Sequence, residues 1–357
     1  MKIGILTFHW AYNYGAVLQA YALQTYLEKQ GHCVEIIDYR PVWAKENKGR
    51  RFPLHIVEAI DTLDFYLKKR LFKKFCKKHL KLSKKKYKSG DIIDGYDAVV
   101  TGSDQVFNPD IIAHEGRIDE TYLLASVANG IKRIAYAASF GNSTLHQEYT
   151  QRFKELLSKF DSISIREQSG VEIVEKMQLK ALAVPDPTIL LGDFSTIYVG
   201  TKDHNLNYIL SFAFQPTEKM DKIQKLITNI HQLPIYQILS LYKYFCGQRG
   251  FLNPSPADWI KLINEAKYVV TDSFHSTVFS ILYHTSFFSF SLSAWGRDWS
   301  ERIKFLLDKT GLRDRLIDGV TSQDALFEQS EINWETVEKS LADWRKDGIT
   351  FLNEVLQ

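Results

Sequence analysis

Cysteine is scarce in this sequence: Cys33, Cys76 and Cys246 are its three, odd in number and far apart. That pattern excludes a disulfide framework, has no metal-ligand spacing, and points to a reducing, cytoplasmic setting. Long apolar runs are missing as well. None reaches the about 18 to 20 residues that cross a bilayer. The opening MKIGILTFHW lacks the apolar core of a secretory signal and is expected to be a first strand. The phosphate-binding patterns G-x-G-x-x-G and G-x-x-x-x-G-K-[ST] are absent, as are H-E-x-x-H, Cys/His clusters and G-x-S-x-G. No metal is therefore expected, and nucleotide binding through those motifs is not supported.

Acid is missing from one stretch. From Lys68 to Lys88 there is no Asp or Glu, and twelve of the 45 Lys and Arg lie there, leaving 33 against 42 acids elsewhere. The chain is thus mildly acidic with one basic segment, which argues against a nucleic-acid coat and leaves a local anion-docking patch open. Ile60, Leu63, Leu67, Leu71 and Phe75 fall on one helical stripe with lysines on the other faces, so a cationic amphipathic helix is expected through residues 60–88.

What is present is an alternation of buried-strand runs and helical patterns. Ile3–Phe8, the helix Ala16–Gln30 and Cys33–Tyr39 form a βαβ unit, which implies parallel strands. Further strands are expected at Asp97–Thr101, Arg133–Ala138 and Ser162–Ile165, and after a break at Pro185–Pro187 the style repeats from Tyr208 onward. Ser255 and Pro256 open one of the later helices as cap and first-turn residue. The expected fold is α/β, with two doubly wound, Rossmann-like domains facing a cleft. They are residues 1–190, with the basic helical segment, and 191–357, with closing helices. The linker is expected between Pro187 and Asn205.

Ligands of such sheets sit at the carboxyl ends of strands, where four loops stand out. Asn13-Tyr14-Gly15 could offer N–H groups to an anion or be a tight turn. Thr101–Gln105, with Ser103, Asp104 and Gln105, suits sugar hydroxyls or is a capped loop. Arg166 ends the strand Ser162–Ile165 and fits a carboxylate or phosphate, or pairs with Glu167, Glu172 or another acid. Val269–Ser276 brings Asp272, Ser273, His275 and Ser276 to a helix start. Phosphate is favoured there, with His275 as a general acid, unless Asp272 or Ser273 only caps the helix and His275 packs beneath.

In order, these segments resemble the polysaccharide pyruvyl transferase family. The matching pieces are IGILTF with NYGAVLQAYAL, YDAVVTGSDQVFN, AYAASFG, SISIREQSG, VPDPTILL and VVTDSFHSTVFSILYH. The resemblance runs to about Leu312 and implies a GT-B-like transferase that moves pyruvate from phosphoenolpyruvate onto a sugar hydroxyl pair as a cyclic ketal. It implies no metal and no cofactor beyond the donor. It also implies a role in surface polysaccharide or glycan biosynthesis. The resemblance carries the donor site over onto Arg166, His275 and Arg302, with Lys304 and Arg297 as substitutes, and the helix start at Ser273 and Ser276 is expected to complete it. The pattern departs at Ser273, where relatives carry Arg, and Arg297 or Arg302 is expected to replace that charge. His275 is the expected proton donor and Asp104 or Asp186 the base. The N-terminal half is the expected acceptor side, through Asn13, Tyr14, Gly15, Ser103, Asp104 and Gln105, and the C-terminal half the donor side.

The expected partners are phosphoenolpyruvate and a saccharide acceptor carried on a lipid diphosphate, and no nucleic acid. Lys68–Lys88 is expected to contact the inner face of the cell membrane. Two other readings stay open. A GT-B glycosyltransferase would use Asp186 or Asp272 on a nucleotide sugar's ribose, and a non-catalytic module would only dock through the lysines.

Overall fold

The structure is a computed structural model that describes residues 1–41, 43, 56–199, 207–291, 293–294, 297–317 and 331–357. The expected linker end at Asn205 and the side chain of Arg297 lie outside the described residues. Two compact units emerge, and neither is contiguous in sequence. The first comprises Met1–Gly49, Cys76–Leu191 and Ala342–Gln357, and the second Arg50–Phe75 and Gly192–Leu341. The halves 1–190 and 191–357 expected above therefore exchange two segments. Residues 50–75 group with the second unit, and residues 342–357 return to the first.

The first unit is a seven-stranded parallel sheet. Its strands are β1 (Lys2–Leu6), β2 (Cys33–Tyr39), β3 (Leu82–Tyr87), β4 (Ala98–Thr101), β5 (Lys132–Ala138), β6 (Ser162–Ile165) and β7 (Leu182–Ala183), in the spatial order β3-β2-β1-β4-β5-β6-β7. Ile3 sits between Val34 and Ala98 in register. Ile3, Ile5 and Leu6 are fully buried, as expected of a strand covered on both faces. Helix α1 (Tyr14–Lys29) is buried nearly all round because it packs on β2 and against the short helix α5 (Pro187–Leu191). Between them in sequence lie α2 (Ile56–His79), α3 (Gln147–Leu157) and α4 (Gln168–Lys176).

The second unit repeats the plan with six parallel strands. They are β8 (Ile209–Phe212), β9 (Ile235–Leu239), β10 (Gly250–Leu252), β11 (Tyr268–Thr271), β12 (Ser286–Phe290) and β13 (Leu316–Ile317), ordered β10-β9-β8-β11-β12-β13. Its helices are α6 (Glu218–His231), α7 (Leu241–Phe245), α8 (Pro256–Glu265), α9 (Phe274–Leu282) and α10 (Glu301–Thr310), and α11 (Trp334–Val355) ends the chain. As expected, α8 opens with Ser255 and Pro256, and Asp258 completes a capping box. In each sheet the strand order reverses once, at β1/β4 and at β8/β11. Ligands of open α/β sheets bind at such reversal points. The loops after β1 and β4, and those after β8 and β11, are the ones placed there.

The basic segment is not one helix. It is helical to His79, and Leu82–Tyr87 is the outermost strand of the first sheet. Lys84, Lys85 and Lys86 are exposed on that strand. Lysines on an open edge prevent pairing with another chain, which accounts for this part of the charge. The expected apolar stripe of α2 is also rotated. Phe72 and Phe75 are buried, whereas Leu63 is 54% and Leu67 37% exposed. Among the described residues no helix is long and apolar enough to cross a membrane.

Candidate functional site

In the second unit the chain leaves the buried strand β11 and turns into α9 within three residues. Thr271 Oγ1 fixes the turn by accepting the N–H of Ser273 at 3.0 Å while donating to the carbonyl of Phe212 at 2.6 Å. Ser273 is the N-cap, its hydroxyl accepting the Ser276 N–H at 3.4 Å. Asp272 is buried and accepts the N–H groups of Phe214 and Gln215, both at 2.8 Å, so it holds the neighbouring strand-end loop. Burial raises its carboxyl pKa, and the two N–H donors oppose that rise. Asp272 thus shapes the turn rather than leaving its carboxylate open to a ribose.

His275 follows in the first turn of α9, 8% exposed. Its ring meets Phe274 edge to face at 5.1 Å, and the guanidinium of Arg302, from α10, lies 5.9 Å from the same Phe274 ring. The structure therefore brings two of the expected donor residues onto one aromatic platform at a helix N-terminus. Ser276 is fully buried, and its hydroxyl has no hydrogen-bond partner among the described residues. Lys304, near Arg302, is engaged by Glu301 at 2.9 Å.

The first unit's strand ends carry a different arrangement. Asn13 caps α1, its side-chain oxygen accepting the Ala16 N–H at 3.2 Å, and Tyr14 and Gly15 are buried in the first turn. Asp104 is half-buried and has φ 98°, a conformation that side chains other than glycine rarely adopt. It is locked there because its carbonyl accepts the Ser139 N–H at 3.0 Å and its carboxylate the Gln105 N–H at 2.8 Å. Gln105 in turn accepts from Asn108 at 2.7 Å. Gly141, with φ 71°, passes so close that a Cβ there would lie 2.1 Å from Gln105 Oε1.

Three expected site residues meet in one buried network. Arg166 and Asp186 form an ion pair at 2.8 Å, both side chains 0% exposed. Ser103 joins them, donating to Asp186 at 2.8 Å and accepting from Arg166 at 3.1 Å. The second Asp186 oxygen accepts the N–H and hydroxyl of Thr188 at 2.9 and 2.6 Å. Asp186 is saturated, so it is not poised as a base. Arg166 binds Asp186, the ion pair left open above as an alternative. Ser103 likewise turns its hydroxyl inward.

Two polar clusters escaped the sequence reading. Glu167 is fully buried, one oxygen gathering the Ser139 hydroxyl and the N–H groups of Phe140 and Gly141. Asn142 and His146 meet Asp110 at 2.8 and 3.1 Å. The signal was the AASFGN segment after β5, another strand-end loop with small and polar residues. His9 pairs with buried Asp38 at 3.1 Å, and Arg40 reaches the same oxygen at 3.1 Å. The His9 hydrogen bond, before the Arg40 charge, draws the Asp38 pKa down to about 2. Among the described residues no three His, Cys, Asp or Glu side chains are grouped to hold a metal ion.

These features define an α/β protein of two Rossmann-like units of the GT-B type. The chain belongs to the polysaccharide pyruvyl transferase family, whose model matches residues 13–293, and it is a transferase. The match includes Asp104 and His275 and ends before Arg297 and Arg302. No curated protein matches the chain. Among solved structures, a candidate UDP-N-acetylglucosamine 2-epimerase from Listeria monocytogenes is 10% identical, with TM-score 0.50 over 97% of this chain and 90% of that one. S. aureus MnaA with UDP is 10% identical, with TM-score 0.49 over 95% and 90% of the two chains. Arabidopsis thaliana UGT89C1 with UDP-L-rhamnose is 11% identical, with TM-score 0.48 over 99% and 95%.

Proposed function

We propose that the protein transfers the pyruvyl group of phosphoenolpyruvate to two hydroxyls of a saccharide, closing a cyclic ketal and releasing phosphate. The observation that carries this reading is the corner at the start of α9. There His275 and Arg302 share the Phe274 platform, and the buried Ser276 hydroxyl has no partner among the described residues. Phosphoenolpyruvate bears a phosphate and a carboxylate. The first-turn N–H groups, the helix dipole and the hydroxyls of Ser273 and Ser276 suit one of these anions, and the Arg302 guanidinium suits the other. Ser273 stands where relatives carry Arg, and in this reading Arg302, with Arg297 earlier in the chain, supplies the charge.

The reaction needs three proton movements. One sugar oxygen bonds to C2 of the donor while the C2=C3 electron pair takes a proton at C3 and the hydroxyl proton passes to a base. The second sugar oxygen then bonds to C2 as the C2–O bond to phosphate breaks, and its proton leaves with the phosphate. His275 is assigned the proton for C3, a role that imidazole fills in general acid catalysis. Asp104, with Gln105 beside it and Asn13 in the next loop, is assigned to the acceptor hydroxyls as orienting group or base. The buried trio of Ser103, Arg166 and Asp186 supports that loop from below.

Phosphate release from phosphoenolpyruvate with a panel of saccharides tests the reading, with UDP and GDP release from nucleotide sugars assayed alongside. Phosphate release is expected only when donor and saccharide are both present. His275→Ala is expected to lower it about 10²- to 10⁴-fold with an unchanged melting temperature. Arg302→Ala is expected to raise KM for phosphoenolpyruvate about tenfold, the loss of one modest charge-assisted contact. Release of a nucleoside diphosphate with phosphoenolpyruvate left intact overturns the reading in favour of a glycosyltransferase. Near-normal turnover in His275→Ala removes that residue from the chemistry.

A further inference from the structure

Helix α2 turns an unusual face to solvent. Ile56, Leu63 and Leu67 are 78%, 54% and 37% exposed. At 3.6 residues per turn, the steps from 56 to 63, 67, 70 and 74 return to one side of the helix. That side is apolar over its first three turns and cationic beyond them, where Arg70 and Lys74 are exposed. Tyr66, 58% exposed, and Lys73 repeat the same apolar-then-cationic order one step around the helix. Lys69 lies 5.6 Å from the Tyr66 ring, so charge and aromatic surface are interleaved rather than segregated.

A neighbouring side of α2 is anchored within the second unit. Asp64 accepts the Leu241 N–H and the Asn253 side chain, both at 2.7 Å. The first of these bonds fixes α7 beside α2. Helix α7 is itself unusual, for Tyr242, Tyr244 and Phe245 are 43%, 52% and 66% exposed. Two neighbouring helices thus present large apolar side chains beside exposed cations. Contiguous exposed apolar surface marks an interaction site. Edge protection, which explains Lys84–Lys86, does not apply to a helix.

We propose that this face of α2, with α7, docks onto an anionic lipid bilayer. The charge complement selects that occupant: Lys68–Lys78 of α2 holds seven cations and no acid, and such runs collect at anionic leaflets. The exposed Leu, Tyr and Phe side chains enter the interfacial layer, as the apolar face of a monotopic helix does. Docking holds the chain at the surface where saccharides carried on lipid diphosphates are presented. The proposal goes beyond the donor assignment and does not depend on it, because membrane binding is measured with neither substrate present.

The test is flotation of the full chain with vesicles of phosphatidylcholine alone or with phosphatidylglycerol, at low and high salt. Wild type is expected to float with phosphatidylglycerol vesicles only, less at high salt. Joint replacement R70E/K73E/K74E is expected to weaken binding about a hundredfold or more. Joint replacement L63S/L67S/F245S is expected to weaken it about tenfold or more and leave the remainder strongly salt-dependent. Circular dichroism and melting of both variants establish that they are folded. Equal binding to neutral vesicles, or unchanged binding in both folded variants, overturns the proposal. So does a wild-type dimer that L63S/L67S/F245S dissociates without change in vesicle binding, because the face is then a contact between copies.

Discussion

The corner at Arg166 in the first unit and the corner at His275 in the second are both built where a parallel strand ends, and they differ in how far one polar group of each, the Asp186 carboxylate and the Ser276 hydroxyl, is satisfied. Around Asp186 the network is closed: one oxygen serves Arg166 and Ser103, the other Thr188 twice, with both charged side chains fully enclosed. At Ser276 it is open: that hydroxyl is buried without a partner among the described residues, at a helix N-terminus with a guanidinium near the Phe274 ring. A closed network holds a loop in place. An open one has capacity for a ligand, because a buried polar group without a partner costs free energy until something meets it. Polar residues at the strand ends of two similar sheets thus take different work.

The strongest way to break this contrast is to remove one charge from the closed network. Arg166→Ala leaves the Asp186 carboxylate buried without its cation, and the expected cost is about 3 to 5 kcal/mol of folding stability. Denaturant unfolding measures it. The pair variant Arg166→Met with Asp186→Asn removes both charges and is expected to regain a large part of that loss. An Arg166→Ala protein of unchanged stability with a raised KM for phosphoenolpyruvate would return Arg166 to the donor site and dissolve the contrast.

A smaller effect separates Asp186 from Asp38, another buried acid of the first unit. Asp38 is held at about 2, first by the His9 hydrogen bond and also by Arg40. A folded-state pKa below the ordinary carboxylate value means that the folded chain binds fewer protons than the unfolded chain in acid. The stabilisation is therefore full above about pH 4 and is lost as the pH falls through 2. The shift corresponds to roughly 2 kcal/mol. Wild type is expected to exceed Asp38→Asn by about that amount at pH 6 and to converge with it near pH 2, by chemical denaturation across that range. A gap that stays constant with pH means that Asp38 stabilises by packing and hydrogen bonds alone.

How much of this was legible beforehand depends on where each signal resides. Cys33–Tyr39 and Ser162–Ile165 stand where the sequence placed them, because both are short β-branched-rich runs that end in polar loops. Leu82–Tyr87 was hidden, since three exposed lysines erase the strand pattern on an edge. The face of α2 was misassigned because periodicity tells where apolar residues fall, and Leu63 and Leu67 are apolar yet turned outward. In the sites, the cap at Ser273 was local and visible. The partner of Arg166 lies 20 residues away across the sheet, and only the fold chooses among the available acids. The φ of Asp104 left no mark in composition at all.

That backbone angle gives the smallest effect and the sharpest discrimination. A φ of 98° is strained for aspartate and ordinary for glycine. If the strain is held in order to aim the carboxylate, Asp104→Gly relieves it and deletes the functional group in one step. The protein is then expected to gain about 1 kcal/mol of stability while KM for the saccharide rises or turnover falls. Asp104→Ala deletes the same carboxylate but keeps the strain, so it is expected to match Asp104→Gly in activity and fall below it in stability. Thermal melting and acceptor kinetics at saturating phosphoenolpyruvate separate the two. If Asp104→Gly is no more stable than Asp104→Ala, the angle carries no strain. If both keep full acceptor kinetics, the carboxylate serves only the loop, and the open corner at His275 is left as the one place where the chemistry is held.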